Sequence, residues 1–463
     1  MDDIPEKAEY SSPFSIRNVR LFIAFRIFFN SRFYYPVFTI LFLDFGLSIA
    51  QFAILNAVWA AAIVVMEVPS GALADIIGRK KLLVTAGALM IVEMLILCLA
   101  PRGNPNLLFP VFLVNRILSG TAEAAASGAD EALAYDALKA EGLENHWGKV
   151  LEVQTRYRSI AFIFAMSIGA AVYDPKLIQP LADFIGISHG IDQGLTLRFP
   201  LFLTLGMAVL TLWTTLKMSA LSTGAKRNEP TVNSKIITLG TAFRLTFQAG
   251  KWIVRTHYAL AVIIMGLLFD GIIRLVITLN SQYYRLIEIP EALFGVIGSA
   301  MAIMGIVIPR LALKMATLWP PAANLIATAC IATTGLIGMS CFLPYYGLAF
   351  SVILVSAAYF TGFFISYYLN RVTDSSQRAT VLSFKGLSYN LAYGFFGILY
   401  SLLFAWIRQQ DTQGPTVGIS MTAEDFSFIS SFAWFPWAFA VLFLLLGIFT
   451  SIFLKDKDLW RIS

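Results

Sequence analysis

The sequence predicts an all-α membrane protein with twelve transmembrane helices, arranged as two pseudo-symmetric six-helix bundles. Of its 463 residues, 58% are hydrophobic and 13% are charged, and this charged fraction is about half that of a typical soluble domain. The mean hydropathy is +0.72. Apolar segments long enough to cross a bilayer recur along the whole chain. Together these observations exclude a soluble globular protein.

A polar segment in the middle of the chain divides the apolar spans into two sets of six. The spans lie at residues 19–43, 49–70, 82–100, 107–128, 149–172 and 199–217, and then at 256–279, 292–309, 318–341, 346–370, 380–406 and 430–454. We predict five regions, which are a tail at 1–18, a first bundle at 19–218, a linker at 219–251, a second bundle at 252–454 and a tail at 455–463. A weak internal repeat supports the two bundles, because Pro69 at the end of the second span is matched by Pro309 at the end of the eighth.

The basic residues predict the orientation of the chain. Most of the 34 Lys and Arg residues lie on the side of the N-terminus, the loop at 71–81, the linker and the C-terminus. The positive-inside rule places this side in the cytoplasm, so we expect a multi-pass protein of the cell (inner) membrane with both termini cytoplasmic. Three acids precede the first base, Lys7, which argues against a cleaved signal peptide. The net charge of +6 reflects basic loops, and nucleic acid is not an expected partner.

The short charged segment between the second and third spans is the most specific motif. Residues 71–81 have the sequence GALADIIGRKK. The positions of Gly71, Asp75, Gly78, Arg79 and Lys80 fit the pattern G-x-L-A-D-x-x-G-R-K/R, and the segment resembles the signature between helices two and three of the major facilitator superfamily. The resemblance implies a transporter that works by alternating access, with a small-molecule substrate held between the two bundles.

The same resemblance implies a cytoplasmic gate. In the family, the acid at the position of Asp75 is thought to hold the cytoplasmic side closed against the N-terminus of helix eleven, where residues 374–377 carry a capping pattern. The two glycines would permit a tight turn. The resemblance also implies that Arg79 pairs with an acid at the inner end of span four. We expect this acid to be Asp136 rather than one of the two acids at 130–131.

Charged residues inside the spans are the candidate substrate and ion sites, because such residues are costly in lipid. In span four Arg116, Gly120, Glu123, Ser127 and Asp130 are spaced by three or four residues and share one helical face, which should point inward. The arginine and the glycine resemble the R-x-x-x-G core of the family's span-four motif, which implies a role in ion coupling. The alternative is an internal ion pair that only fixes packing.

Matching positions in spans one and seven carry a second set of candidates. Arg26 and Asn30 are four residues apart in span one, and Asp270 and Arg274 are four apart in span seven. If the two arginines faced each other across a central cavity, they would suit an anionic substrate, and this arrangement resembles the paired arginines of organophosphate antiporters. Alternatively, Asp270 neutralises Arg274 one turn away, and no net positive site remains.

We therefore predict a secondary active transporter of a small organic solute, coupled to a proton or other ion gradient. The alternatives are an organic-anion or organophosphate exchanger that uses Arg26 and Arg274, and a lipid flippase on the same fold. Glu67 and Glu93 are further acids in spans two and three, and the sequence assigns no role to Glu93. An enzyme is not expected, since no Walker A pattern or nucleophile–base set is recognisable. The expected partners are the substrate, the coupling ion and the lipid bilayer, and we expect a monomer without cofactor or metal.

Overall fold

The computed structural model describes residues 12–102, 104–186, 190–220, 250–373, 378–410 and 422–454, together with residues 240, 244, 247 and 248. Within these residues the chain is helical, with no strand. The helices of the first half are α1 (Arg17–Asn30), α2 (Phe38–Phe45), α3 (Ile49–Ile77), α4 (Arg79–Cys98), α5 (Pro105–Ala126), α6 (Ala129–Ala140), α7 (Trp147–Tyr173), α8 (Pro175–Phe184), α9 (Gln193–Thr196) and α10 (Phe199–Lys217).

The second half continues with a helical stretch at 250–255 and then eight further helices. These are α11 (His257–Thr278), α12 (Asn280–Leu286), α13 (Phe294–Leu318), α14 (Pro321–Ser340), α15 (Gly347–Val372), α16 (Arg378–Gln410), α17 (Ala423–Phe432) and α18 (Trp434–Phe449). Within the described residues, ten helical stretches are long and apolar enough to cross a membrane. The pair α7 and α8, bent by 76°, adds an eleventh if it is counted as one span.

The predicted first span, 19–43, is not one continuous helix. Helix α1 ends at Asn30 and α2 begins at Phe38, with a short 3-10 turn at Tyr35–Val37 between them. Pro36 explains part of this break, because proline has no N–H to donate and disfavours helical backbone in the residue before it. Arg32 lies within this break and pairs with a buried acid in α4.

The segment at 71–81, which we predicted to be a turn, is almost entirely helical. The apolar span Ile49–Gly71 agrees with the predicted 49–70, but α3 continues through Gly71 and Asp75 to Ile77 and α4 begins at Arg79. The reason is that alanine and leucine in this segment are strong helix formers. The break itself is confined to Gly78, whose φ of +93° favours glycine.

The residues before the linker form the first half of the molecule and those after it the second half. We call the end of the helices that carries Gly78 and Ser219 the linker end, and the opposite end, with Asp44 and Arg285, the far end. Helix α3 packs along α16, and α7 packs along α13. At the second contact a Cβ on Gly295 would lie 2.0 Å from the carbonyl oxygen of Met166, so only glycine permits this approach.

Candidate functional site

The predicted gate segment makes its main contact with helix α6. The guanidinium of Arg79 donates to the carboxylate of Asp136 and, at 3.0 Å, to the carbonyl oxygen of Ala132. Both partners of this ion pair are about one third exposed, at 31% and 39%. Lys80 makes no ion pair within the described part of the chain. The side chain of Asp75 and residues 374–377 lie outside the described residues, so their predicted contact stays a prediction.

Arg26 is held by two acids at the linker end. Its Nε lies 2.5 Å from Asp130, which is almost fully buried, and its Nη2 lies 2.8 Å from Glu131, which is exposed. Asn30 donates from its side chain to the carbonyl oxygen of Arg26 at 2.8 Å and so secures the last turn of α1. The guanidinium is therefore neutralised within the first half.

Arg116 has an unusual environment for a buried cation. Its side chain is 4% exposed, and its guanidinium carbon lies 5.2 Å and 5.6 Å from the ring centroids of Phe38 and Phe42 in α2. Its Nε has no hydrogen-bond partner within the described residues. Glu123, two turns further on, makes no ion pair there either, and it interacts electrostatically with Arg32 and Arg26 at longer range. Within the described residues, Arg116 and Glu123 therefore have no partner at ion-pair distance.

The other residues of the face predicted for span four have structural contacts. A Cβ on Gly120 would lie 2.6 Å from the carbonyl oxygen of Trp59, so this glycine lets α5 approach α3 closely. Ser127 ends α5 and donates to Glu67 at 3.2 Å. The left-handed Gly128 (φ +72°) then starts a new helix. The helix break carries Asp130 into α6, so the single continuous face predicted from the spacing ends at Ser127.

A buried ion pair in the first half gives Glu93 the role that the sequence left open. Nη1 of Arg32 donates to Oε1 of Glu93 at 2.6 Å, and the side chains are 3% and 1% exposed. The hydroxyl of Tyr34 lies 3.3 Å from the same nitrogen, and Asn115 donates to the backbone carbonyl of Glu93 at 2.9 Å. The ion pair links the segment between α1 and α2, which contains Arg32, to helix α4, which contains Glu93. Sequence spacing gives no signal for this contact, because the partners lie in different spans.

The second half contains a cluster of one acid and two bases. Nε of Arg274 lies 3.5 Å from Oδ2 of Asp270, so the neutralising pair that the sequence analysis gave as one alternative is present. The guanidinium also donates to Asn390 at 3.1 Å and lies 4.2 Å from the ring centroid of Tyr393. Lys385 interacts electrostatically with Asp270. Arg26 and Arg274 therefore each have an acidic partner, and the two-arginine hypothesis requires both pairs to open.

A cavity of about 410 Å³ lies between the two halves. Its walls come from the break in the first span, α7, α11 to α13 and α15. Aromatic and aliphatic side chains make up most of the lining, and the aromatic ones include Tyr35, Phe38, Phe162, Phe294 and Tyr359. None of the lining residues is charged. The volume is in the range of pockets for small organic ligands.

A second ion-pair cluster, at the far end, was not predicted. Arg285 donates to both carboxylate oxygens of Asp44, at 2.8 and 2.7 Å, and to Glu291 at 2.8 Å. Tyr173 donates to the same aspartate at 2.5 Å. The bidentate contact joins the two halves across 241 residues of sequence. The sequence shows Asp44 as a lone acid in an apolar segment, which indicates a buried partner, but it does not identify Arg285 as that partner.

Within the described residues, no group of three or more His, Cys, Asp or Glu side chains could hold a metal ion. The candidate site consists of a cavity between the halves, charged side chains beside it and ion pairs at both ends.

Comparison with known proteins identifies the family. The sequence matches the profile described as Major Facilitator Superfamily over residues 20–397, and no curated protein matches it. A bacterial homolog of the human lysosomal transporter Spinster, inward-facing and unoccupied, is 14% identical with a TM-score of 0.68, covering 98% of this chain and 100% of its own.

Two further solved structures have the same fold. The nucleoside transporter NupG is 14% identical with a TM-score of 0.62, covering 92% of this chain and 98% of its own. A D-xylose-proton symporter is 13% identical with a TM-score of 0.63, covering 98% and 100%. At this identity the structural likeness shows the fold alone. Together with the family profile it indicates a membrane transporter rather than an enzyme, and the chain belongs to the Major Facilitator Superfamily.

Proposed function

We propose that this protein is a secondary active transporter that moves a small organic solute by alternating access. Twelve spans form two six-helix bundles, at 19–218 and 252–454, in the cell inner membrane, with both termini in the cytoplasm. The protein acts as a monomer. The observation that carries the proposal is the aromatic cavity between the halves, bordered by contacts that join the halves at one end.

The contacts between the halves support a state that is closed at the far end. Besides the bond between Arg285 and Asp44, the backbone N–H of Thr39 donates to Ser281 at 2.9 Å, and that of Ile49 donates to Glu424 at 2.6 Å. Alternating access requires these bonds to break when the far end opens. The gate around Arg79 and Asp75 would then close the linker end.

Glu123 is our candidate for the ion-coupling group. The other acids near it have partners, since Glu67 accepts a hydrogen bond from Ser127 and Glu93 pairs with Arg32. A carboxylate without an ion pair can bind and release a proton as the cavity opens to either side, and buried Arg116 in the same helix would respond to that change in charge.

The cavity also bears on the two alternatives. An exchanger of organophosphates through Arg26 and Arg274 would have to open both ion pairs described above. A lipid flippase would need room for acyl chains, and about 410 Å³ suits a small solute better than a two-chain lipid. The two ion pairs and the cavity volume favour transport of a small organic molecule over both alternatives.

Transport in proteoliposomes tests the proposal. A thermal-shift screen of the purified protein against a metabolite library at two pH values first selects a ligand. We expect saturable uptake of that ligand into proteoliposomes, with accumulation that an imposed proton gradient drives and a protonophore abolishes. Protein-free liposomes and the Asp75→Asn variant are the controls. Uptake no faster than in protein-free liposomes would refute transport.

A further inference from the structure

A second, smaller pocket adjoins the aromatic cavity. It has a volume of about 180 Å³ and contains Asp270, Arg274 and Tyr389 in its lining. Ile277 and Ala358 line both pockets, so the two spaces share one wall. The binding region therefore has an apolar compartment and a charged compartment side by side.

The larger compartment is suited to an apolar body. Its aromatic rings come from both halves, with Tyr35 and Phe38 from the first half and Phe294 and Tyr359 from the second. Aromatic side chains favour flat or apolar ligands through stacking and burial. The lack of charged lining residues means that a charged group would be poorly solvated in this compartment.

The smaller compartment contains a loosely paired cation. Its lining includes one acid, Asp270, and one base, Arg274, whose Oδ2 and Nε atoms are 3.5 Å apart, and a second base, Lys385, interacts with Asp270 from outside this lining. Nζ of Lys385 donates a hydrogen bond to the hydroxyl of Ser366 at 2.8 Å and lies 5.7 Å from the ring centroid of Tyr389. The hydroxyl of Tyr389 is buried and has no hydrogen-bond partner within the described residues. An anionic group placed here would gain this donor and a guanidinium.

We propose that the transported solute is an organic monoanion with an aromatic or similarly apolar body. The body lies among the rings of the larger compartment, and the anionic group binds at Arg274 and Tyr389, with Lys385 beside Tyr389 as a second positive charge. This proposal rests on the proposed transport function and gives it a substrate class. It differs from the paired-arginine hypothesis, because Arg26 takes no part and both cations come from the second half.

Equilibrium binding to the detergent-purified full chain tests this class without requiring transport. The probes are 3-phenylpropionate, its uncharged amide, 3-phenylpropylamine and propionate, each titrated by calorimetry. We expect the aromatic anion to bind at least about tenfold more tightly than the other three, because the amide and the amine lack the anionic group and propionate lacks the aromatic ring. Equal or tighter binding of the amine or the amide, or no binding of any probe at millimolar concentration, would overturn the proposal.

Variants then locate the anionic group. Arg274→Gln and Lys385→Met should each weaken binding of 3-phenylpropionate about tenfold, whereas Asp270→Asn should tighten it by removing the competing acid. Arg310→Gln and Lys314→Met are matched controls, because both side chains are exposed on α13, and they should leave binding unchanged. Unaltered affinity in both Arg274→Gln and Lys385→Met would refute the site. If binding follows this pattern but proteoliposomes show no uptake, the site stands and the transport proposal fails.

Discussion

At the scale of single residues, the buried pair of Arg32 and Glu93 is the contact whose loss should matter most for stability. Removing one partner of a buried ion pair leaves the other charge uncompensated and costs about 3–5 kcal/mol. We therefore expect Glu93→Gln to lower the melting temperature of the purified protein strongly. Glu131→Gln is the matched control, because Glu131 is 48% exposed and its loss should change stability little.

The double replacement Arg32→Met with Glu93→Leu distinguishes the effect of an unpaired buried charge on stability from the effect of changed packing. Replacing both charges by apolar groups of similar size is often neutral or stabilising, so the double variant should recover much of the loss seen in Glu93→Gln. If Glu93→Gln melts at the wild-type temperature, the ion pair between Arg32 and Glu93 does not stabilise the contact of α4 with the break in the first span.

Glu123 gives a residue-scale prediction about function. If its carboxylate carries the coupling proton, Glu123→Gln should abolish accumulation driven by a proton gradient, because an amide cannot release a proton. Exchange of labelled for unlabelled ligand with no gradient should persist, since it needs only the cavity and the change of access. Both rates are measured in the same proteoliposomes. Glu152→Gln, at an exposed position of α7, is the control, and gradient-driven accumulation in Glu123→Gln would exclude Glu123 as the proton carrier.

At the scale of helices, the two glycines of the gate segment should differ in their tolerance of a side chain. Gly71 lies within α3, and a Cβ there would meet nothing within 4 Å, so Gly71→Ala should preserve or raise stability by about 0.5–1 kcal/mol. Gly78 has φ +93° and ψ +142°, where a side chain costs about 1–3 kcal/mol. Gly78→Ala should therefore lower the melting temperature. Equal melting temperatures for the two variants would contradict the assignment of the break to Gly78.

Sequence patterns predicted the positions of most helices better than the positions of the breaks between them. Ten of the twelve apolar segments predicted from hydropathy coincide with helical stretches that are long and apolar enough to cross a membrane, because the lipid environment requires long apolar segments whatever their neighbours. Hydropathy missed the break in the first span, because it takes no account of Pro36 or of the ion pair that Arg32 makes with Glu93 in another helix. It also predicted a turn over 71–81, because charge and glycine content suggested a loop where alanine and leucine maintain a helix up to Gly78.

At the scale of the molecule, contacts within one helix or within a known family motif were predicted better than contacts between halves. The pairing of Asp270 with Arg274 follows from a spacing of four residues. The ion pair between Arg79 and Asp136 followed from the family resemblance, and the structure contains it. The bond from Arg285 to Asp44 depends on how the two halves meet, which no local pattern encodes.

The closed far end predicts that a disulfide at this interface would stop transport. The backbone nitrogen of Thr39 lies 2.9 Å from the hydroxyl of Ser281 across the halves, so cysteines at these two positions should be near enough to link. In a background with Cys98, Cys330 and Cys341 replaced by serine, Thr39→Cys with Ser281→Cys should lose uptake on oxidation and regain it on reduction. Thr39→Cys alone should keep its uptake under both conditions.

The same pair of cysteines measures how much the ion pair at Asp44 stabilises the closed state. Asp44→Asn weakens the bidentate contact with Arg285, so the far end should open more often and the disulfide should form more slowly at a fixed oxidant concentration. Lys176→Gln, a substitution in α8 outside this cluster, is the control and should leave the rate unchanged. Because the cysteines report on separation of the halves directly, an unchanged rate in Asp44→Asn would show that the closed state is held by the apolar contacts of α7 with α13 and not by the ion pair.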